Sequence, residues 1–169
     1  MKVVFFGSSE FSIPILKALV SSSNSVVQVI TTPDRKKGRG QKLSPSPVKI
    51  SAQELGLLVS TPEKLSDPSS VGSIKGLAPD LEIIASYGKM VPASIFTISK
   101  VASLNVHPSL LPRHRGASPI QQAILEGDKK TGVSIAEVTK ELDAGDLFGQ
   151  VETRIGKEEN AEGLSERLA

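Results

Sequence analysis

A chain of 169 residues is long enough to build one hydrophobic core, burying roughly 70% of its unfolded surface, and too short for two ordinary domains. With 38% hydrophobic and 22% charged residues and a net charge of only +2, wholesale disorder, a fibrous repeat and a polyanion-binding protein defined by bulk charge are all disfavoured. The lack of cysteine removes disulfides, thiol nucleophiles and cysteine metal sites, and two histidines, His107 and His114, cannot form a three-histidine zinc site, so any metal would lean on carboxylates.

Residues 1–6 are a short apolar run stopped by Gly7, Ser8 and Ser9, and residues 10–21 follow as a helix with Phe11, Ile15, Ala18 and Leu19 on one face. The first apolar run is too short for a signal peptide, and Lys17 interrupts the best candidate for a membrane span. The expectation is a soluble protein of the cytoplasm or of an organellar matrix. Residues 25–32, β-branched and closed by Pro33, suit a buried parallel strand, and further short strands are predicted at 57–59, 81–85 and 101–106. Helices fit the stretches between them, notably 47–55 and 119–126. This alternation predicts an α/β fold, Rossmann-like, with an open, mostly parallel sheet and helices on both faces. Residues 133–138 and 147–153 read as two strands of a hairpin-like excursion, and 161–169 as the opening of a helix. Residues 33–49 are the irregular stretch: Arg35, Lys36, Lys37, Arg39, Lys42 and Lys49 stand against the single acid Asp34, among Gly38, Gly40 and three prolines. That composition predicts a basic, mobile loop without helix or strand.

Open α/β sheets bind ligands beyond the carboxyl ends of their strands. Gly7 follows the first strand, but neither spaced glycines nor a phosphate loop accompanies it, which removes support for nicotinamide and ATP sites and leaves a turn glycine as the plain reading. The strand at 101–106 runs into Asn105-Val106-His107-Pro108, and residues two apart on a strand share a face. An amide donor beside an imidazole can hold a developing oxyanion and manage a proton. The alternative is a structural pair bonded to backbone. Asp143, in a tight turn with Ala144 and Gly145, is expected to expose a carboxylate that could fix the His107 ring, or else to be an ordinary turn residue, and Asp146 reads as a solvated strand-entry residue. No Gly-x-Ser-x-Gly or His-Glu-x-x-His motif occurs. What the three polar groups can do together is acyl transfer by direct attack, without a covalent intermediate or a metal.

The segment NVHPSLLPRHRG at 105–116, followed by LDAGD at 142–146, resembles the paired motifs of the folate-dependent formyltransferases. PDRKKGRGQKLSPSPVK at 33–49 and RGASPIQQAILEGD at 115–128 resemble the branch of that family acting on methionyl-tRNA. Its relatives that formylate purine precursors or nucleotide sugars lack the basic loop. GSSEFSIPIL at 7–16 and ASYGKMVP at 85–92 extend the likeness along nearly the whole chain. The resemblance implies Asn105, His107 and Asp143 as the catalytic triad. It implies Ser109, Leu110, Leu111 and Pro112 as the folate-binding segment, with Tyr87 and Gly88 lining the same pocket. The implied donor is 10-formyltetrahydrofolate and the implied acceptor is the amino group of initiator methionyl-tRNA, met by Arg35, Lys36, Lys37, Arg39 and Lys42. No metal and no membrane are implied, and a monomer is expected. His114 and Thr32 depart from the family's usual Trp and Gln. The family also carries further catalytic-domain residues and a C-terminal β-barrel that helps bind tRNA, so 1–169 is expected to be a truncated catalytic domain. Two other readings stay open: a formyltransferase for a small-molecule amine, and a nonenzymatic nucleic-acid module using loop 33–49.

Overall fold

The run KVVFFG has no polar alternation, and as strand β1 (Lys2–Gly7) it buries Val3, Val4, Phe5 and Phe6 completely. A strand apolar on both faces belongs inside a parallel sheet. β1 pairs in parallel with β2 (Ser25–Ile30) on one side and β6 (Leu81–Ala85) on the other, and β2 pairs in parallel with β5 (Val59–Ser60). The computed structural model describes residues 1–37 and 40–169. The chain gathers into two compact units, Met1–Ser103 and Leu104–Ala169.

In the first unit the strands alternate with helices α1 (Ser12–Val20), α2 (Pro47–Glu54), α3 (Pro68–Leu77) and α4 (Ala93–Phe96), the α/β, Rossmann-like arrangement expected. Helix α1 turns a different face inward from the one its apolar spacing suggests. Phe11, Ser12 and Leu16 are buried, whereas Ala18 is exposed. The cause is a polar anchor: the Ser12 hydroxyl donates to the Ala85 carbonyl at 2.6 Å, holding that side of the helix against the strand ends. Gly7 is required by the same contact rather than by a turn. A Cβ on Gly7 would lie 2.7 Å from the Phe5 ring and 2.8 Å from Ser12 Cβ. Gly7→Ala should therefore overpack the β1–α1 junction and cost about 1–3 kcal/mol, read as a lower urea midpoint at unchanged slope. Ser46 caps α2 by accepting from the Lys49 amide, and its hydroxyl meets Thr31 Oγ1 at 2.6 Å.

The basic stretch is not the irregular loop its composition predicts. Strands β3 (Arg35–Lys37) and β4 (Lys42–Ser44) pair antiparallel, with Arg35 opposite Ser44, Lys36 opposite Leu43 and Lys37 opposite Lys42. A three-residue ribbon needs little sequence to specify it, and Gln41, just before β4, is left-handed at φ +46. Gly38 and Arg39 lie outside the described residues.

In the second unit β8 (Lys130–Glu137) pairs antiparallel with β7 (Ala102–His107) and with β9 (Leu147–Arg154), which is the hairpin-like excursion expected. Helix α5 (Pro119–Leu125) buries Ile120 and Ala123, and α6 (Ala161–Leu168) buries Leu164 and Leu168. The Asn160 side chain caps α6 by accepting from the Gly163 amide. Among the described residues, no helix is long and apolar enough to cross a membrane.

Candidate active site

Strand β7 ends at His107, and its two-residue period sets Asn105 and His107 on the same side. The turn between β8 and β9 returns Asp143 to them. Asn105 Nδ2 donates to Asp143 Oδ1 at 2.9 Å, and Asp143 Oδ2 lies 3.6 Å from His107 Nδ1. The Gly116 amide also donates to Asp143 Oδ2, at 2.9 Å. One carboxylate thus ties together the end of β7 and the loop that follows it. The turn does not expose this carboxylate as its composition suggests. Asp143 itself takes the left-handed conformation (φ +49), which aims its side chain inward and leaves that side chain only 7% exposed. Asp146 is exposed, and its carbonyl accepts from the Glu137 amide.

The other edge of the His107 ring meets backbone. Nε2 stands 2.9 Å from the His114 carbonyl oxygen, which can only accept, so Nε2 carries a hydrogen and Nδ1 faces Asp143. With 6% of its side chain exposed, His107 is hydrogen-bonded at Nε2 and close to a carboxylate at Nδ1. The segment at 105–116 alone gives no hint of this use of the His114 carbonyl.

The segment 109–112 is braced by two residues that sequence reading passed over. Ser134 on β8 donates its hydroxyl to the Ser109 carbonyl at 2.6 Å and accepts from the Leu111 amide at 3.1 Å. Gln150 on β9 donates to the Leu111 carbonyl at 3.1 Å and to Ser134 Oγ at 2.8 Å. The Leu110 carbonyl accepts from the Arg113 amide. Ser109 and Leu111 are buried and Pro112 is exposed, so most polar backbone atoms of this segment are spent on holding its own shape. Leu110 is the partly exposed apolar side chain of the segment.

Tyr87 and Gly88 lie in the first unit, on an open cleft of about 520 Å³ shared with Ser8, Ser9, Thr32 and Arg35. The Tyr87 ring packs edge-on against Phe6, its hydroxyl has no hydrogen-bond partner, and burial pushes its ionisation up to about 12. Arg35, Lys36 and Lys42 are exposed on the basic ribbon, whereas Lys49 is paired with Asp34 at 2.7 Å.

A second cluster escaped sequence reading. His114 Nε2 meets Asp128 Oδ2 at 2.6 Å, and the Arg113 guanidinium donates to both oxygens of Asp128, at 2.6 and 2.9 Å, and to Glu126 at 2.8 Å. Hydrogen bonds from Arg113 and then His114 hold the Asp128 carboxyl down at about 2. His114, Glu126 and Asp128 offer atoms within 4.8 Å of one another, the kind of carboxylate-leaning trio that could take a cation, but Arg113 already supplies positive charge to both acids.

Comparison with known proteins follows the same chemistry. Over its whole length the chain is 46% identical to a methionyl-tRNA formyltransferase of Sulfurihydrogenibium sp. and 43% identical to one of Methylococcus capsulatus, covering 55% of each. It spans about half the length of the curated relatives it matches. A phosphoribosylglycinamide formyltransferase from Bacillus halodurans matches with a TM-score of 0.78 at 25% identity, over 99% of this chain and 87% of that one. A sugar N-formyltransferase from Shewanella sp. shares the fold with a TM-score of 0.70 at 20% identity, over 99% of this chain and 63% of that one. Since the formyl transferase family matches residues 1–169 from end to end, the chain belongs to that family.

Proposed function

We propose that this chain carries the catalytic chemistry that moves a formyl group from 10-formyltetrahydrofolate to the amino group of initiator methionyl-tRNA. The observation that carries the reading is the Asp143 carboxylate, bonded to Asn105 and set beside His107. The acceptor's neutral amine attacks the formyl carbon and a new C–N bond forms. Asn105 has a second amide hydrogen to offer the resulting oxyanion, and a charged or proton-donating His107 helps to hold it. Asp143 orients both and, directly or through water, takes the proton gained by the attacking nitrogen. Collapse breaks the bond to the folate nitrogen, which takes up the proton passed to Asp143 or its water and leaves as tetrahydrofolate. Leu110 and the braced backbone of 109–112 would flank the folate.

The acceptor assignment rests on the 46% and 43% identical relatives, both named for methionyl-tRNA, against 25% or less for the structures named for small amines. The basic ribbon supports it. Arg35, Lys36 and Lys42 are exposed there, with Lys36 and Lys42 on adjacent register pairs of the two strands. Arg35, Lys36, Lys37 and Lys42, with Arg39 beyond the described residues, would meet phosphates of the acceptor arm. The deciding experiment offers the chain radiolabelled 10-formyltetrahydrofolate with methionyl initiator tRNA, a phosphoribosylated amine or a nucleotide-sugar amine. Transfer to the tRNA alone is expected. Transfer only to a small amine would replace the acceptor, and tRNA binding without any transfer would favour the nucleic-acid module.

The ribbon makes a separate prediction. Lys36→Ala with Lys42→Ala should weaken tRNA binding and flatten its dependence on salt by about one to two phosphate equivalents, leaving folate affinity unchanged. An unaltered slope across a salt titration would make the ribbon a bystander.

A further inference from the structure

Outside the triad, the Asp128 carboxylate in the second unit gathers three side-chain hydrogen bonds. It sits just past α5, where Gly127 at φ +68 reverses the chain and the Asp128 amide closes on the Ala123 carbonyl at 3.0 Å. That reversal turns its carboxylate back toward the loop after β7. There it holds two consecutive residues at once: Arg113 by a two-pronged ion pair and His114 by the 2.6 Å bond from its imidazole. His114 needs holding, because it takes the left-handed conformation at φ +55, which is unfavourable for a residue with a Cβ. The carbonyl of this same residue accepts the His107 Nε2 hydrogen, at 2.9 Å. Ser109 Oγ, donating to the Arg113 carbonyl at 2.6 Å, closes the loop on itself.

From this chain of contacts we infer that Asp128 is a positioning residue for His107. Through the side chains of Arg113 and His114 it fixes the backbone carbonyl that sets which ring nitrogen of His107 carries the hydrogen and how the ring faces Asp143. Strain at His114 and the demand for one imidazole orientation are met by the same carboxylate. Asp128 touches neither donor nor acceptor in this account, and its effect on rate rests on the formyl-transfer reading above. Its effect on the His107 ring does not.

The test reads both. Nitrogen-15 spectra of the chain report whether Nδ1 or Nε2 of His107 is protonated, and formyl transfer to methionyl-tRNA gives kcat and KM separately. The variants are Asp128→Asn, His114→Leu and His114→Gln. Leu and Gln meet the same backbone demand at φ +55, but only Gln places an amide donor near the position of Nε2. Asp128→Asn and His114→Leu should move the His107 ring toward a mixture of protonation forms and speed solvent exchange of the Nε2 hydrogen by about tenfold. They should also lower kcat by about tenfold with KM for the folate within about twofold. His114→Gln should restore most of both. If all three variants keep the parental His107 spectrum, or if His114→Leu and His114→Gln behave alike, the inference is overturned. A His107 spectrum that responds as expected in a chain with no transfer to any amine would instead sink the functional reading and leave the positioning role standing.

Discussion

His107→Ala is expected to slow formyl transfer by a hundredfold or more while folate affinity changes far less. Removing one donor that meets an oxyanion costs about 10²–10³ in rate, because the interaction is made in the transition state and hardly at all in the bound substrate. His107 is suited to that role because the bond from Nε2 to the His114 carbonyl fixes the ring and leaves the Nδ1 edge, beside Asp143, to meet the developing charge, so little reorganisation is needed. Single-turnover rates and folate titration on the same preparation separate the two effects. A His107→Ala chain turning over near the parental rate would make this histidine purely structural. Asp143→Asn should be comparably damaging. The asparagine tolerates the left-handed backbone at φ +49, so the turn survives. It cannot, however, accept from both Asn105 Nδ2 and the Gly116 amide, since one of its two atoms is now a donor. The substitution therefore removes charge beside His107 and pulls apart the two elements that Asp143 joins. Parental activity in Asp143→Asn would end its assigned role.

The legible part of this site is what strand periodicity and short motifs can carry. Asn105 and His107 lie two apart on one strand, so their common direction follows from the pleat alone. Asp143 is 38 residues from Asn105, and only the resemblance of LDAGD to a family motif joined them ahead of the structure. Its burial was beyond composition, because a left-handed aspartate and a solvated turn aspartate share the same letters. The anchoring of the loop was hidden for the same reason. Ser134, Gln150 and Asp128 reach it from two strands and a helix end, and each looks ordinary in its own neighbourhood. Local pattern also misled where one polar bond outweighed apolar spacing. The Ser12 hydroxyl on the Ala85 carbonyl set the buried face of α1, which the spacing of Phe11, Ile15, Ala18 and Leu19 placed differently.

Strand β6 shows the same limit in its burial, since LEIIA reads as an apolar run although its second residue is an acid. Glu82 is completely buried opposite Val4, with neither carboxyl oxygen hydrogen-bonded. Desolvation raises its ionisation from 4.5 to about 7, against a smaller opposing effect of the Ser103 and Ser99 hydroxyls. Between those two values the folded chain keeps the proton that the unfolded chain has lost, so unfolding releases a proton and stability falls as pH rises. The contribution is fully present below about pH 4.5 and lost as pH rises through about 7. At about 1.4 kcal/mol for each tenfold in proton affinity, the loss attributable to Glu82 is about 3 kcal/mol. Glu82→Gln keeps the shape and removes the titration. The variant should match the parent within about 1 kcal/mol at pH 4.5 and exceed it by about 3 kcal/mol at pH 8, because there the parent must bury a carboxylate without a partner. Urea unfolding of both proteins at several pH values measures the difference directly, and other titrating groups cancel because they are common to the two chains. Parallel stability profiles across that range would mean that Glu82 titrates normally and that its carboxylate finds water or a partner in the folded chain.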